Sequence, residues 1–267
     1  MKILRLAIVF CALSTALRGA SFHEDFAVVF IDAASEAKFG AFPLDRSILA
    51  KAIRKAASLG AKGVVLKFFF DQPKSELSDL SLEQALTNVP VLLEARMDDS
   101  QIQPNALPNQ FTFPGVKART RVSGQTGWIP LLRFSEKAAG VGFVDFSTTV
   151  VPLLETYQSR TVKSLTVCCI ELATGKKAII QPSESLKFGT RELRMDSHNG
   201  VSVKLPAKDD LEYIPFHRLV AGETPAGEIE GQGCDSWLRW RSDSFHLHFH
   251  WPDSRAPILC LCAEKRL

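Results

Sequence analysis

An α/β fold is predicted from two features of this sequence: runs of apolar residues that lack polar alternation, and helix-like stretches that separate them. Such runs are typical of strands buried on both faces of a parallel sheet. We expect a single domain from Phe26 to Gly231, with a mostly parallel central sheet flanked by helices and a small antiparallel hairpin region. Of the 267 residues, 46% are hydrophobic and 23% charged, which supports a sizeable core.

The first part of this domain alternates strand and helix patterns. Apolar residues at helical spacing between turn residues predict the helices, and β-rich apolar runs predict the strands. The predicted elements are, in order, a strand at 26–32, a helix that Asp45 can cap and Gly60 ends, a strand at 62–70, a helix capped by Ser78 or Asp79, and a strand at 89–95.

The second part begins after a polar stretch at 96–126, which we interpret as a long loop. A short helix, a strand ending near Phe146 and the strand VVPLLETY come next. A helix that ends at Gly175 and three short strands follow. The Asn199-Gly200 pair then predicts a hairpin turn.

The N-terminal segment resembles a signal peptide. Lys2 and Arg5 precede a short apolar run from Leu6 to Leu17, and small residues follow. The run is shorter than the roughly 20 residues that span a bilayer. Residues 1–20 are therefore expected to form a signal peptide, or alternatively a short N-terminal anchor through which the chain associates with a membrane. Either alternative predicts an exported protein, in the periplasm or on the extracytoplasmic face of the membrane.

Composition and motif content exclude several functions. The net charge is only +3, and the sequence contains no stripe of basic residues. No nucleic-acid partner is therefore expected. The sequence holds no phosphate loop, dinucleotide fingerprint or nucleophile elbow, so we expect no cofactor and no catalytic residues. The adjacent Cys168 and Cys169 are interpreted as small buried hydrophobes, and His198 and His217 as structural histidines.

Aspartates follow three of the predicted strands, at Asp32, Asp71 and Asp145. Ligands of open α/β sheets bind outside the carboxyl ends of the strands, and clustered carboxylates there could hold Mg²⁺. The competing interpretation is that these aspartates cap helices and turns. No second motif completes a metal or phosphate site, so capping is the favoured interpretation.

Several phrases occur together in a characteristic order: AVVFIDAASEAKFGAFPLDRSILAKAIRKAASLGAKGVVLKFFFDQP, SDLSLEQAL, AAGVGFVDF, VPLL, KSLTVCCIEL and YIPFHRLVAG. Their order resembles the CHASE-type extracellular sensory domain of the second class, which is attached to bacterial kinases and cyclases. The resemblance covers Phe26 to Gly231. It implies a sensor without enzyme activity, which binds a small extracytoplasmic ligand of unknown identity and normally precedes transmembrane helices and an output domain. We expect this chain to be a truncated sensor without those parts.

The resemblance and the strand-end carboxylates together predict the ligand-binding residues Asp32, Arg46, Lys67 and Asp71. Asp32 follows the first strand, and Arg46 ends the family's Gly-x-x-Pro-x-x-Arg segment, here GAFPLDR. Lys67 aligns with a position at which the family often has aspartate. The family's Asp-Gly-x-x-Arg before PLL is missing here. The oligomeric state is left open between a monomer and a homodimer, the commonest oligomer.

The tail from 232 to 267 differs from the rest of the chain. Residues 231–267 hold three of the four tryptophans, three of the six histidines and three of the six cysteines. His246, His248 and His250 alternate, so on a strand they share one face and could bind zinc. We favour a tail read out of frame, because a shifted frame permits the apolar strand that the family has there. The alternatives are a zinc-dependent hydrolase that uses these histidines and a secreted binding protein of the same fold.

Overall fold

The computed structural model describes residues 26–98, 103–113, 116, 118–145, 150–202 and 214–225, and the backbone of three strands between 238 and 263. This part of the chain forms six α-helices: α1 (Ala33–Phe39), α2 (Arg46–Ser58), α3 (Glu76–Ala85), α4 (Leu132–Ser135), α5 (Leu165–Thr174) and α6 (Phe216–Ala221). None of these helices has the length and hydropathy that crossing a bilayer requires.

The strands of the described residues belong to one large sheet and several small ones. In chain order they are β1 (Phe26–Phe30), β2 (Ala61–Leu66), β3 (Val91–Asp98), β4 (Thr112–Phe113), β5 (Ser123–Gly124), β6 (Thr126–Trp128), β7 (Gly140–Phe143), β8 (Val150–Pro152), β9 (Leu154–Tyr157), β10 (Arg160–Lys163), β11 (Ile179–Gln181), β12 (Ser185–Phe188), β13 (Arg191–Arg194), β14 (Gly200–Ser202), β15 (Ile214–Pro215), β16 (Leu238–Arg241), β17 (Ser244–Leu247) and β18 (Ile258–Ala263).

The central sheet has the order β15-β1-β18-β2-β3, and β6 and β7 both pair with β3. Strands β15, β1, β2, β3 and β7 all run in one direction, whereas β18 and β6 run antiparallel to them. Five of the seven strands in this sheet are therefore parallel. The predicted α/β domain with a mostly parallel sheet is confirmed.

Strand β18 comes from the tail and lies between β1 and β2. It pairs antiparallel with both, with Ile258 opposite Phe30 and Leu259 opposite Leu66. A strand at this position completes the hydrogen bonding of two strands that would otherwise be separate edges. The reading frame of the tail stays a prediction.

Helices cover both faces of β2 and β3. Val64 and Leu66 pack in the same core as the buried residues of α2, α3 and α6, whereas Val65 and Leu92 pack against Leu165 and Cys168 of α5. Successive side chains of a strand point to opposite faces. Because helices cover both faces, neither set of alternating side chains in these strands is polar.

Helix caps confirm part of the prediction and correct part of it. The Asp45 side chain accepts from Ser47 N at the start of α2, as predicted. Helix α3 is capped by Ser75, and Ser78 and Asp79 lie inside it, so the predicted cap is wrong. Ser75 precedes the first helical residue and is the position from which a side chain reaches the free amide of Ser78.

The small antiparallel region contains β11, β12 and β13 as predicted, with β12 between the other two. The predicted turn at Asn199 is present, and Asn199 has a positive φ of 58°. It does not make a hairpin, because β13 pairs with β12 whereas β14 after the turn pairs with β8.

Gly142 of β7 allows α5 to approach the sheet closely, and Gly140 leaves room for the side chain of Leu92 in β3. A Cβ added at Gly142 would lie on the backbone of Leu165 and 2.7 Å from Leu165 N, and one at Gly140 would lie 2.8 Å from Leu92 Cδ2. Separations this short force neighbouring atoms to move. The GVGF phrase therefore serves packing between β7 and the first turn of α5.

We predict that Gly142→Ala destabilises the protein by about 1–3 kcal/mol, because the backbone of α5 has to move away from β7. Gly175→Asn is the matched control. Gly175 has a left-handed φ of 62° and no neighbour within 4 Å of an added Cβ, and asparagine tolerates that conformation. Chemical denaturation of both variants measures the difference. Equal stability of the two variants would contradict the close-approach explanation.

Candidate functional site

The four residues predicted to contact a ligand lie near the carboxyl edge of the central sheet or at the start of α2. Asp32 follows β1 by two residues, Lys67 and Asp71 follow β2, and Arg46 is the first residue of α2. Strand β18 lies between β1 and β2. The strand ends that carry Asp32 and Asp71 are therefore not adjacent, and each of the four side chains has its own set of neighbours.

Asp32 caps α1, a helix that is not among the predicted elements. Its Oδ1 accepts from Ser35 N at 2.8 Å and from Ser35 Oγ at 2.6 Å, and His217 Nδ1 lies 3.5 Å away. Burial raises the pKa of Asp32, but the Ser35 hydrogen bonds and the His217 imidazole outweigh it and hold the pKa below its ordinary value. The capping interpretation of this aspartate is confirmed.

Asp32, Ser35 and His217 are a Ser-His-Asp set in composition but not in geometry. The same imidazole nitrogen, His217 Nδ1, faces both Ser35 Oγ at 3.3 Å and Asp32 Oδ1 at 3.5 Å. A catalytic triad needs the two opposite nitrogens of the ring for these two partners. Ser35 is also fully buried, so this cluster connects α1 to α6 and offers no nucleophile.

Arg46 is buried, with 3% of its surface exposed. Its Nη1 donates to Asp79 Oδ1 at 2.6 Å, and its Nη2 donates to the Gln72 carbonyl at 2.6 Å. The guanidinium lies over the rings of Phe134 and Phe70, at 5.1 and 5.5 Å from their centroids. Arg46 therefore connects α2, α3, α4 and the loop after β2.

Lys67 follows β2 and pairs with Glu94 of β3. Its Nζ lies 2.7 Å from Glu94 Oε2, and Glu94 is 4% exposed. Burial raises the pKa of Glu94, although Lys67 counteracts the shift. The lysine at this position therefore pairs with a buried carboxylate of the neighbouring strand.

Asp71 is half-buried, as Asp32 and Lys67 are. Its Oδ2 accepts from Gln72 Nε2 at 3.2 Å. Its carbonyl accepts from Asn105 Nδ2 at 2.8 Å, and the same amide donates to the Ile129 carbonyl. The backbone of Asp71 is thus fixed in the loop, and part of its carboxylate faces solvent.

A second acidic group lies where β7 ends. Asp145 Oδ2 accepts from Met97 N at 2.9 Å, and Asp145 neighbours Glu155 of β9 closely enough to affect its pKa. Glu155 is fully buried, and among the described residues only the Asp145 carboxyl lies within hydrogen-bonding reach of its carboxyl group. The sequence contained only a weak signal for it, one acidic residue inside the apolar VVPLLETY run.

Burial governs the protonation of this pair. Burial and the adjacent Asp145 carboxylate raise the pKa of Glu155 well above its ordinary value. Burial also raises the pKa of Asp145, against the hydrogen bond from Met97 N. Two carboxyl groups in one dry site do not both ionise readily, so Glu155 is held in its neutral form.

A cavity of about 420 Å³ opens at the opposite, amino edge of the sheet. The residues before or at the start of β2, β3 and β7 line it, namely Lys62, Pro90 and Gly140, together with the end of α5. This volume falls within the range of small-molecule pockets. The sequence did not predict it, because its walls come from segments far apart in the chain.

The buried cysteine beside this cavity is not a nucleophile. Burial, followed by the Glu171 carboxylate, raises the pKa of Cys168 to about 12, so the reactive thiolate is not formed near neutral pH. Both Cys168 and Cys169 are free thiols. The interpretation of Cys168 as a small buried hydrophobe agrees with its 7% exposure.

The metal-binding alternatives have no support from the described residues. Within them, no group of three or more histidine, cysteine, aspartate or glutamate side chains could hold a metal ion. The predicted zinc ligands His248 and His250 lie outside the described residues, and only the backbone of His246 is described, in β17.

Comparison with family models gives one match, to the CHASE2 domain, over residues 4–250. The match covers most of the chain and extends past Gly231 into the tail. Neither the curated proteins nor the solved structures include a significant match to this sequence.

We predict that Arg46→Met destabilises the protein by about 3–5 kcal/mol, because the buried Asp79 carboxylate loses its cationic partner and keeps only the hydrogen bond from Lys74 N. Lys51→Met, at an exposed position of the same helix, should change stability by less than about 0.5 kcal/mol. The double variant Arg46→Met/Asp79→Leu should recover part of the loss, since no unpaired charge remains. Urea denaturation compares all three. An Arg46→Met protein as stable as the Lys51→Met protein would refute the structural role of Arg46.

We predict that Glu155→Gln removes the loss of folding stability that the wild type shows as the pH rises from about 5 to about 8. The folded-state pKa of Glu155 is raised above the ordinary value of 4.5. Below the unfolded-state pKa, Glu155 is protonated in both states and the wild type has its full stability. As the pH rises toward the folded-state pKa, the wild type loses stability, because only the unfolded chain releases the proton freely. From about pH 5 to about pH 8 the variant should gain at least about 1 kcal/mol relative to the wild type.

Denaturation at stepped pH measures this difference, with the exposed Glu136→Gln as control. The Glu136→Gln profile should run parallel to that of the wild type. A Glu155→Gln profile that is also parallel would show that Glu155 titrates normally in the folded protein.

Proposed function

Because the chain belongs to the CHASE2 family of sensory domains, we propose that it is an extracytoplasmic sensor that binds a small ligand and catalyses no reaction. The family match over residues 4–250 carries this proposal. A sensory domain of a signalling protein requires a recognition surface on a folded scaffold, and an α/β sheet covered on both faces supplies such a scaffold.

The extracytoplasmic location is supported by the N-terminal sequence. The charged start, short apolar run and small residues of 1–20 are typical of export signals. The free thiols Cys168 and Cys169 are compatible with an oxidising compartment, because Cys168 is buried and its raised pKa suppresses the thiolate.

Ligand contact at the carboxyl edge stays a proposal for Asp32 and Asp71. Asp71 is the better placed of the two, since its half-buried carboxylate has one weak partner, Gln72 Nε2 at 3.2 Å. Arg46 and Lys67 act here through the scaffold, because Arg46 holds α2 against α3 and Lys67 neutralises Glu94.

The export part of the proposal is tested with fusions of alkaline phosphatase to the C-terminus of the full chain and of the chain without residues 1–20. The phosphatase folds only after export, since its disulfides need an oxidising compartment. Activity is expected with the full chain and not with the shortened one. A full-chain fusion that is produced but inactive would place the domain on the wrong side of the membrane and overturn the proposal.

The ligand part is tested by thermal unfolding of the purified protein with a panel of amino acids, carboxylates, sugars, Mg²⁺ and Ca²⁺. A ligand of the folded state raises the unfolding temperature. Asp71→Asn should abolish the shift if the carboxyl edge binds the ligand, whereas the exposed Glu136→Gln should leave it intact. A shift that survives Asp71→Asn would remove Asp71 from the site, and a panel without any shift would count against ligand sensing.

A further inference from the structure

The cavity at the amino edge of the sheet has a well-defined position. It lies where β2, β3 and β7 begin, and the last turn of α5 and the residues 110–113 close its sides. With about 420 Å³, it has room for a small molecule. Its residues belong to the described chain and are separate from the Asp32 and Asp71 edge.

The interior of this cavity is mainly apolar. Leu92 and Val141 form the sheet side, Leu172 belongs to α5, and Phe111 and Phe113 close the opposite side. A ligand that fits here therefore needs an apolar body, ring-shaped or chain-shaped, because a fully hydrated molecule would lose its water without replacement hydrogen bonds.

The charges around the cavity are unbalanced. Four lysines and one glutamate line it, namely Lys62, Lys163, Lys176, Lys177 and Glu171. The Glu171 carboxylate is already engaged, since it accepts from Lys163 Nζ, from Lys177 Nζ at 3.4 Å and from Ala178 N at 2.6 Å. Lys163 and Lys177 thus share the one carboxylate on the described cavity wall, whereas Lys176 has no acidic partner among the described residues.

The lysines differ in their exposure, which distinguishes the buried part of the cavity from its open mouth. Lys163 is buried, and its ammonium lies 4.7 Å from the centroid of the Phe113 ring. Lys176 and Lys177 are exposed and follow Gly175, which ends α5. Cations at this place also offset the negative end of the helix, so a test has to separate that stabilising role from ligand binding.

We propose that this cavity binds a small organic anion, namely a monocarboxylate with an apolar ring or chain. The apolar walls hold the body of the molecule, and the lysines at the mouth hold its carboxylate. An ammonium beside a carboxylate gives a charge-assisted hydrogen bond. A polyphosphate fits less well, because the walls supply mostly carbon atoms. The identification of this carboxylate as the sensed signal rests on the proposed function, whereas its binding rests on the cavity alone.

The test measures the binding of benzoate, used as the probe, to the full chain by isothermal titration calorimetry. Benzyl alcohol and benzylamine have the same ring without the negative charge. We expect saturable binding of benzoate that weakens as the salt concentration rises, and weaker or no binding of the other two compounds. Lys176→Gln should weaken benzoate binding about fivefold, whereas Lys51→Gln, at an exposed position of α2, should not change it.

A second variant tests the cavity without removing a charge. Ala139 is exposed and lines the cavity, so the indole of Ala139→Trp should fill the space and abolish benzoate binding without disturbing the core. Unfolding temperatures of the ligand-free variants show whether each still folds. Lys176→Gln with lower stability but unchanged affinity would assign Lys176 to the helix end and overturn its role in binding.

The outcomes separate this inference from the proposed function. Absence of saturable benzoate binding, or binding that Ala139→Trp leaves intact, overturns the inference even when the phosphatase fusion reports export. Benzoate binding that both variants weaken supports the inference even when the fusion reports no export, and in that case only the sensory role fails.

Discussion

Burial of both faces of β2 and β3 is the constraint on which the rest of this structure depends. Strands without a solvent-facing side need helices on each face. Here α2 and α3 cover one face, and α5 covers the other. The short distance between α5 and the sheet requires Gly142 in β7. The amino-edge cavity lies where α5 ends and no longer covers the sheet.

Charged groups inside this framework are paired by contacts between different secondary-structure elements and loops. Arg46 pairs with Asp79, Lys67 with Glu94, and Lys163 with Glu171. A buried pair contributes little net stability, because desolvation offsets the attraction, but removing one partner is costly. Such pairs therefore make incorrect packing of the helices unfavourable. Glu155 is different, since it has no cationic partner among the described residues and its raised pKa keeps it protonated.

The two edges of the sheet offer different chemistry. At the carboxyl edge, Asp32 is used as a helix cap and β18 separates the ends of β1 and β2. At the amino edge, β2, β3 and β7 begin beside a cavity with apolar walls and a lysine-rich lining. Ligands generally bind at the carboxyl ends of parallel strands, because helix N-termini and loops meet at that edge. In this chain the amino edge also offers a space, which residues 110–113 and the end of α5 border.

The sequence by itself determined the fold class, the strands β1, β2 and β3, and the helices α2 and α5. These elements depend on local patterns: continuous apolar runs, the Asp45 cap, and a glycine at 175 that takes the left-handed conformation. Only the tertiary structure decided which groups meet. The Arg46–Asp79 pair, the burial of Glu155 and the lysine-lined cavity join residues from distant parts of the chain. A local pattern carries no information on such contacts, because the same apolar or charged residue is compatible with many packing partners until the helices and strands dock.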